Sequence, residues 1–501
     1  MSKKIDRHRT AIDRYSLSAP MQSLYRHNYL SGNFSLLDYG CGKGDDVRIL
    51  KQHNVEIIGW DPAYFPDANK PPHDIVNLGF VINVIEDQAE RQTTLRKAFA
   101  IATKFLVVAV MLGGETLTNR FKKLGDGVVT SRNTFQKYYT QREIRNYIES
   151  ILKTEAIAVG PGIFYVFKDK IEEQIFLVSR EKAKKNWQRL SYTGDPDRLA
   201  IKQRAFYERN RELLDSFWRK CLELGRIPLN KEFPRSEKLR AVINSHQKAF
   251  RLLVVIHGEE IFETATEARK NDLLVYFALG LFGQRKPYLH MPEGLKRDIK
   301  IFWGMYTEAI KTAKSLLFSV GKKDVIKNAC MQAYKELQCG QLVTNHSFIV
   351  HRELIEDLPA VLRIYIGCAS QLYGDLSQID LVKIHMTSGK VTLLCYDDFW
   401  GKPLPLLLQR VKIKLREQDI DFFDYGDEYP PQPLYLKGVL MQDHMPNYSK
   451  QKTFDKRLQS FEWLDLSGFG PTGDELENLL IENRLQIKGF RFYKITKNID
   501  N

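Results

Sequence analysis

Residues 36–46 read Leu-Leu-Asp-Tyr-Gly-Cys-Gly-Lys-Gly-Asp-Asp: an apolar strand, three glycines at alternate positions, and the acidic start of a helix. No other stretch narrows the fold so far. Glycine tolerates left-handed backbone and lets a ligand come close to the main chain. A glycine-rich turn from strand into helix is the ligand-binding corner of a doubly wound α/β sheet. The spacing of Gly40, Gly42 and Gly44 is one residue tighter than the GxGxxG of NAD- and FAD-binding folds, and the absence of GKS or GKT excludes a P-loop. Asp45 and Asp46 occupy the helix N-terminus, where a pyrophosphate would need the positive end of the dipole to itself. The loop therefore suits a ligand without phosphates.

The flanking pattern agrees with such a sheet. Apolar runs at Phe34–Asp38, Val55–Trp60, Ile75–Phe80 and Phe105–Met111 alternate with helical periods from Asp45 to Gln52 and from Asp87 to Ala102. Strand–helix alternation predicts parallel strands. Thr140-Gln141-Arg142-Glu143 is a capping box for a helix to about Leu152. Glu155–Val159 and Ile163–Phe167 then flank Gly160-Pro161-Gly162 as an antiparallel hairpin. A parallel sheet closed by an antiparallel hairpin is the layout of the class I methyltransferase fold. The predicted class is α/β: a Rossmann-like class I methyltransferase domain over 1–170, an all-helical region over 171–337, and a mixed α/β region over 338–501.

In the helical region a long stretch from Asp197 to Leu224 stops at Gly225, and further helices are expected around 236–256, 259–281, 294–318 and 322–337. In the last region Ile379–Met386 and Val391–Tyr396 flank a hairpin turn, Val411–Arg416 alternates apolar and basic residues, and Thr472–Glu475 opens a helix.

A phosphate-free ligand that tolerates carboxylates is S-adenosylmethionine, which carries a sulfonium and an ammonium. In this reading Asp38 orients the methionine end, while the backbone of Gly40, Cys41, Gly42 and Gly44 approaches the cofactor. Asp61, at the end of the next strand and 23 residues after Asp38, is placed to accept both ribose hydroxyls. Asn77, in Asp74-Ile75-Val76-Asn77-Leu78-Gly79-Phe80, borders the transfer pocket or caps its strand. An unrelated Rossmann-type domain is the competing structural reading.

Arg7-His8-Arg9-Thr10-Ala11-Ile12, the loop from Asp38 to Asp46, Gly59-Trp60-Asp61-Pro62 and Val76-Asn77-Leu78-Gly79 together resemble one family. Gly125-Asp126-Gly127-Val128, Thr134-Phe135-Gln136-Lys137 and Pro161–Phe167 extend the match. The chain is similar to the DNA phosphorothioation-associated methyltransferases, bacterial proteins linked to systems that put sulfur into the DNA backbone. Asp380–Phe399 and the region from Phe469 to Leu479 look similar to the family's C-terminal part. The resemblance implies a methyltransferase working beside DNA-modification or defence proteins. It leaves the methyl acceptor open.

The residues limit the chemistry further. A cytosine-C5 enzyme needs a nucleophilic Cys in the loop after the fourth strand, and none stands there. Asn77-Leu78-Gly79-Phe80 keeps the first and last positions of the [D/N/S]-P-P-[Y/F] loop of amino-methylating DNA enzymes but has neither proline. From Arg120 to Arg145, basic groups interleave with Phe121, Phe135, Tyr138 and Tyr139. Arg132, Phe135, Lys137 and Tyr138 are the substrate-binding candidates, with a solvated face over inward-packed rings as the plainer reading. Arg7-His8-Arg9 reads either as a phosphate contact or as a charged arm. Asp397-Asp398 reads as turn chemistry, and Lys412, Lys414 and Arg416 as a phosphate-contacting stripe or the wet face of a strand.

Lys and Arg outnumber Asp and Glu by 75 to 61, for a net charge of +14. That balance favours an anionic partner, nucleic acid first, and DNA in particular given the resemblance. Phosphorothioation-system proteins are further expected partners. Cys41, Cys221, Cys330, Cys339, Cys368 and Cys395 include no CxxC pair, and no HExxH occurs, so no metal is expected. No apolar run approaches the ~20 residues of a bilayer span and no secretory h-region is visible, so a cytoplasmic protein without a membrane partner is expected. The functional expectation is a methyltransferase with a nucleic-acid acceptor. The rival is a nucleic-acid-binding accessory protein whose SAM domain is vestigial or regulatory.

Overall fold

The structure is a computed structural model that describes residues 7–11, 14–113, 118, 121–182, 195, 197, 199–283, 290–426 and 429–495. Two compact units divide the chain: 1–173 with 330–352 and 366–501, and 174–329 with 353–365.

The first sheet is built from β1 (Leu36–Tyr39), β2 (Ile57–Trp60), β3 (His73–Gly79), β4 (Ala102–Ala109), β8 (Ile157–Gly160) and β9 (Ile163–Phe167), in the order β2-β1-β3-β4-β9-β8. β1 to β4 are parallel to one another; β9 runs antiparallel to both β4 and β8. The parallel core and its closing hairpin thus stand as the sequence predicts, with strand ends shifted by up to three residues. Every residue of β1 and β9 is buried, as expected where helices cover a parallel sheet. Leu37, Val76, Leu78, Leu106, Val108 and Val166 share one cluster in this core.

Two of the first unit's helices start at side-chain caps. α1 covers Ala19–Arg26 and α2 covers Asp45–Gln52. α3 (Gln88–Ile101) starts where the Asp87 carboxylate accepts from the Glu90 N–H at 2.7 Å, and it packs on β3 and β4. α4 (Gln141–Leu152) starts where Thr140 Oγ1 accepts from the Glu143 N–H at 3.1 Å, the cap its sequence announces. Between α3 and α4 a small sheet, β5 (Lys122–Leu124), β6 (Gly127–Val129) and β7 (Phe135–Gln136), stands apart from the main one.

Among the described residues the second unit is helical, with short breaks where single helices are expected. The stretch from Asp197 is helical over Ile201–Arg209 and Arg211–Leu224, interrupted at Asn210, whose side-chain amide donates to the Phe206 carbonyl at 2.9 Å. Asn competes for helix carbonyls in this way. Gly225 ends the second helix at φ +61°. Asn244 and Gly304, both at positive φ, split the helices expected over 236–256 and 294–318, whereas the one expected over 259–281 stands whole as Glu259–Phe282. Arg226, buried, binds Glu232 and Asp298, and Arg269 joins it on Asp298.

The second large sheet is wholly antiparallel: β10 (Gln341–Val343), β11 (Ser347–His351), β12 (Leu381–His385), β13 (Lys390–Tyr396), β14 (Leu407–Lys414) and β15 (Asp419–Asp424), in chain order. The turn between β12 and β13 carries Gly389 at φ +68°. The helix Gly473–Glu482 follows its predicted cap, with the Thr472 N–H on Glu475 Oε2 at 2.8 Å. A closing hairpin joins β16 (Leu485–Lys488) to β17 (Arg491–Lys494).

Candidate cofactor-binding site

Strand order reverses between β1 and β3, and a crevice opens at such a switch point, outside the carboxyl ends of the strands. Here a cavity of about 590 Å³ lies there, lined by Asp38, Gly40, Cys41, Gly42, Asp61 and Asn77 among others. Five of the residues singled out for the cofactor are thus drawn together around Asp38; Gly44 stands at their edge as the N-cap of α2.

The glycines are required by geometry. Gly40, Gly42 and Gly44 have φ of +89°, +54° and +78°, and a Cβ on Gly40 would sit 2.4 Å from Val81 Cγ2. The Gly42 N–H donates to Asp61 Oδ2 at 3.0 Å, while Asp61 Oδ1 accepts from the Ala63 and Tyr64 N–H groups at 2.8 and 3.1 Å. Asp61 therefore ties the glycine loop to the turn after β2 and still borders the cavity. Cys41 contributes its backbone. Burial first, then Asp38 and Asp61, push its thiol up to about 12, so it is no nucleophile at neutral pH.

Asp38 and Asn77 are register partners on adjacent strands, and Asn77 Nδ2 donates to Asp38 Oδ1 at 2.8 Å. Both are buried. Burial and the neighbouring Asp46 push the Asp38 carboxyl up to about 7 against the opposing pull of Asn77 and Arg14. A buried acid poised in this way gains by meeting a cation.

Asp45 and Asp46 do more than face the α2 N-terminus. Asp45 Oδ2 accepts from the Arg14 N–H and Asp46 Oδ1 from the Ser18 N–H, each at 2.8 Å. They fasten the N-terminal segment beside the cavity, where the Arg14 guanidinium carbon lies 5.8 Å from the Phe80 ring centroid. Phe80 itself has φ +60°, a strained conformation for an aromatic residue. Three cavity-lining polar atoms are buried without a partner: Ser18 Oγ, Asn77 Oδ1 and Asn83 Oδ1. Such orphans are uncommon unless a ligand or water completes them.

Sequence reading missed Ser18, Arg14 and Asn83. Asn83 follows Phe80 in the same loop, but no spacing rule marks it, and the N-terminal segment reaches the site through a fold the local sequence does not announce. Arg7 lines the cavity with its charge held by Glu86 and Glu90, its Nη atoms 2.7 and 2.8 Å from the two Glu90 oxygens. It serves as the anchored arm of the two readings given above. The side chains of His8 and Arg9 and all of Ile12 lie outside the described residues.

The four substrate candidates have separate surroundings. Arg132 is exposed. Phe135 is 1% exposed and packs under Gly127 and Arg91, so its ring is part of the interior. Lys137 Nζ binds Asp126 and Glu143, each at 2.9 Å, and Tyr138 is half-buried. Arg91, buried, clamps Asp126 through both Nη atoms. Burial opposes the ionised form of Asp126, yet Arg91 and Lys137 hold its carboxyl down at about 2. This network fixes the small sheet, and Gln136 beside it reaches the cavity. Arg120 lies outside the described residues. Asp397 and Asp398 bind backbone N–H groups of their own turn, as turn chemistry requires. Among the described residues no cluster of metal-ligating side chains occurs, and no helix is long and apolar enough to cross a membrane.

No protein-family model and no curated protein matches the sequence. Among solved structures, the chain is similar to Burkholderia thailandensis 1,6-didemethyltoxoflavin-N1-methyltransferase, solved with 1,6-didemethyltoxoflavin and S-adenosylhomocysteine. That likeness has 14% identity and a TM-score of 0.21, over 30% of this chain and 76% of that one. A second likeness is to magnesium protoporphyrin IX methyltransferase from Synechocystis PCC 6803 with bound S-adenosylhomocysteine. It has 12% identity and a TM-score of 0.22, over 32% of this chain and 92% of that one.

Proposed function

We propose that the chain is an S-adenosylmethionine-dependent methyltransferase. The observation that carries the reading is the cavity at the β1–β3 switch point, where a buried Asp38–Asn77 pair meets a positive-φ glycine loop tied to Asp61. The residues fit that cofactor: a cation is welcome beside Asp38, hydroxyls beside Asp61, and hydrogen-bond donors beside the orphaned Asn77 Oδ1. When bound, the cofactor supplies an electrophilic methyl group on a sulfonium. Asp38 holds the ammonium, Asp61 takes the ribose hydroxyls, and the backbone of Gly40–Gly44 gives the adenosine side close approach. Asn77 and Asn83 offer amide oxygens to the transfer side. Positioning is the main demand of such a transfer, and the chain presents no nucleophilic thiol there.

The finer reading is a methyltransferase of a bacterial DNA phosphorothioation system, with nucleic acid as methyl acceptor. The motifs from Arg7 to Phe167 and the +14 charge support it. Calorimetry with S-adenosylmethionine tests the cofactor: Asp61→Ala is expected to weaken binding at least tenfold, and unchanged affinity would remove Asp61 from the site. Tritiated-methyl transfer to DNA, tRNA and lysate protein tests the acceptor. Label in DNA or tRNA supports the reading; binding without label in any pool favours a regulatory SAM domain.

A further inference from the structure

The two faces of the β10–β15 sheet differ sharply. Val382, Ile384, Val391, Leu393, Val411 and Ile413 are buried on one face. On the other, register brings Lys383 of β12 opposite Thr392 of β13 and Thr392 opposite Lys412 of β14, with Arg410 two residues along. Strands are spaced about 4.8 Å apart and residues about 3.4 Å, so the Cα positions of these three residues lie within roughly 12 Å of one another.

Cations this close in a fold are ordinarily matched by acids. Lys414 is matched, by Asp421 and Asp419. Among the described residues no carboxylate comes within ion-pair distance of Lys383, Arg410 or Lys412; Asp421 stands opposite Lys412 in register but is engaged by Lys414. Arg410 Nε is buried without a hydrogen-bond partner, and its guanidinium lies instead over Phe423, 4.5 Å from the ring centroid. The field is felt nearby: burial, then Lys383 and its basic neighbours, drive the His385 imidazole down to about 4. Beside Arg410 the sheet ends in aromatic rings. Phe423 and Tyr429 are 5.9 Å apart, Tyr425 and Tyr429 5.4 Å apart, and Tyr429 is 38% exposed.

We propose that this face binds single-stranded nucleic acid, its phosphates on Lys383, Arg410 and Lys412 and an unpaired base against the Tyr425–Tyr429 rings. Charge complementarity selects a polyanion. The rings at the edge select one with flat faces to stack, which a duplex keeps hidden. The proposal shares with the preceding section only nucleic acid as partner and does not rest on cofactor binding.

Fluorescence anisotropy of labelled oligo-dT with the full chain, as a function of salt, tests it. Single-strand affinity falls with log salt by about 0.7 per phosphate contact. The double variant Lys383→Ala/Lys412→Ala is therefore expected to flatten the slope by about 1.4, and Tyr429→Ala to weaken binding roughly tenfold. Lys414→Ala, whose charge is already matched, should leave both unchanged. Lys412→Arg restoring the slope guards against a variant that has merely lost its fold. Asp61→Ala should weaken cofactor binding at least tenfold yet leave oligonucleotide binding intact, which separates failure of the two proposals. No oligo-dT binding, an unchanged slope in the double variant, tighter binding of duplex than of single strand, or equal competition by poly-glutamate would each overturn the assignment.

Discussion

The two large sheets use polar residues in opposite ways. In the parallel sheet, covered on both faces, the charged and amide side chains that matter, Asp38 and Asn77, lie at the carboxyl end of two neighbouring strands. In the antiparallel sheet one face is apolar and buried, and the other carries half-buried Lys383, Arg410 and Lys412 around a buried Thr392. A sheet with no wet face can present chemistry only at its ends, where a small crevice forms. A sheet with one wet face can present a surface. The first arrangement fits a compact ligand held in about 590 Å³, the second an extended one.

The comparison breaks most easily at its glycines. Gly40→Ala puts a side chain at φ +89° and 2.4 Å from Val81 Cγ2. Strain and overpacking together cost about 2–4 kcal/mol, and S-adenosylmethionine binding should be lost. Gly389→Ala, at φ +68° in the β12–β13 turn, meets only the end of the flexible Arg416 side chain at 3.3 Å. It should cost about 1 kcal/mol and leave cofactor binding as it was. Thermal unfolding and calorimetry on the two variants check this; equal losses of binding would mean that the first loop is not special.

Breaking the Arg91–Asp126 clamp is the second test. Arg91 is 1% exposed and also donates to the Ile85 carbonyl. Arg91→Ala leaves Asp126 without its main partner and should cost about 3–5 kcal/mol, measured as a lower denaturant midpoint. A loss below about 1 kcal/mol would make the clamp a surface pair. The small sheet from β5 to β7 would then need another anchor.

Much of the first sheet was legible because its signals are local. Strand runs, the Asp87 and Thr140 caps and the glycine spacing each act within a few residues, and the structure keeps them. That Asp38, Asp61 and Asn77 line one cavity was legible for the same reason: Asp38 and Asn77 lie toward the carboxyl ends of their strands and Asp61 follows one. Arg14 and Ser18 were not, because they meet Asp45 and Asp46 through contacts 31 and 28 residues apart in sequence. Phe135 misled: an aromatic among basic residues reads as a stacking platform, and tertiary burial made it interior. Asn210 misled in the helical unit, where one side-chain hydrogen bond broke an otherwise continuous amphipathic period. The cations of the second sheet were visible only as an alternating stripe, since register alone sets Lys383 and Lys412 on either side of Thr392.

A subtler test turns on Asp38. Its folded carboxyl keeps a proton up to about pH 7, whereas an unfolded Asp releases it near ~3.9. Between those values the folded state binds more protons, so stability falls as pH rises from about 4 to about 7 and levels off above. Asp38→Asn should remove that fall. A cationic ligand reverses the preference, because it favours ionised Asp38. S-adenosylmethionine affinity should therefore rise with pH, by up to about tenfold per unit below pH 7, and flatten above it. In Asp38→Asn, affinity should be lower and independent of pH across the same window. A wild-type affinity flat from pH 6 to about pH 7.5 would place the ammonium away from Asp38.

The smallest expected effect on the fold is at Lys412, and that smallness is its point. Lys412 makes no ion pair among the described residues, and its one aromatic contact is distant, with Nζ 5.5 Å from the Phe423 centroid. Its charge opposes protonation of His385, but that imidazole is held down to about 4, chiefly by burial, and is neutral near pH 7, so the coupling does not act there. Lys412→Ala should therefore change stability by less than about 0.5 kcal/mol in either direction. A residue whose charge the fold does not use is free to serve a partner, whereas Asp38 and Asp61 are bonded into the sheet and loop that hold them. A loss at Lys412 well above that figure, seen in the thermal midpoint, would show that the cation is structural. The cationic face of the second sheet would then be no more of a surface than the first sheet offers.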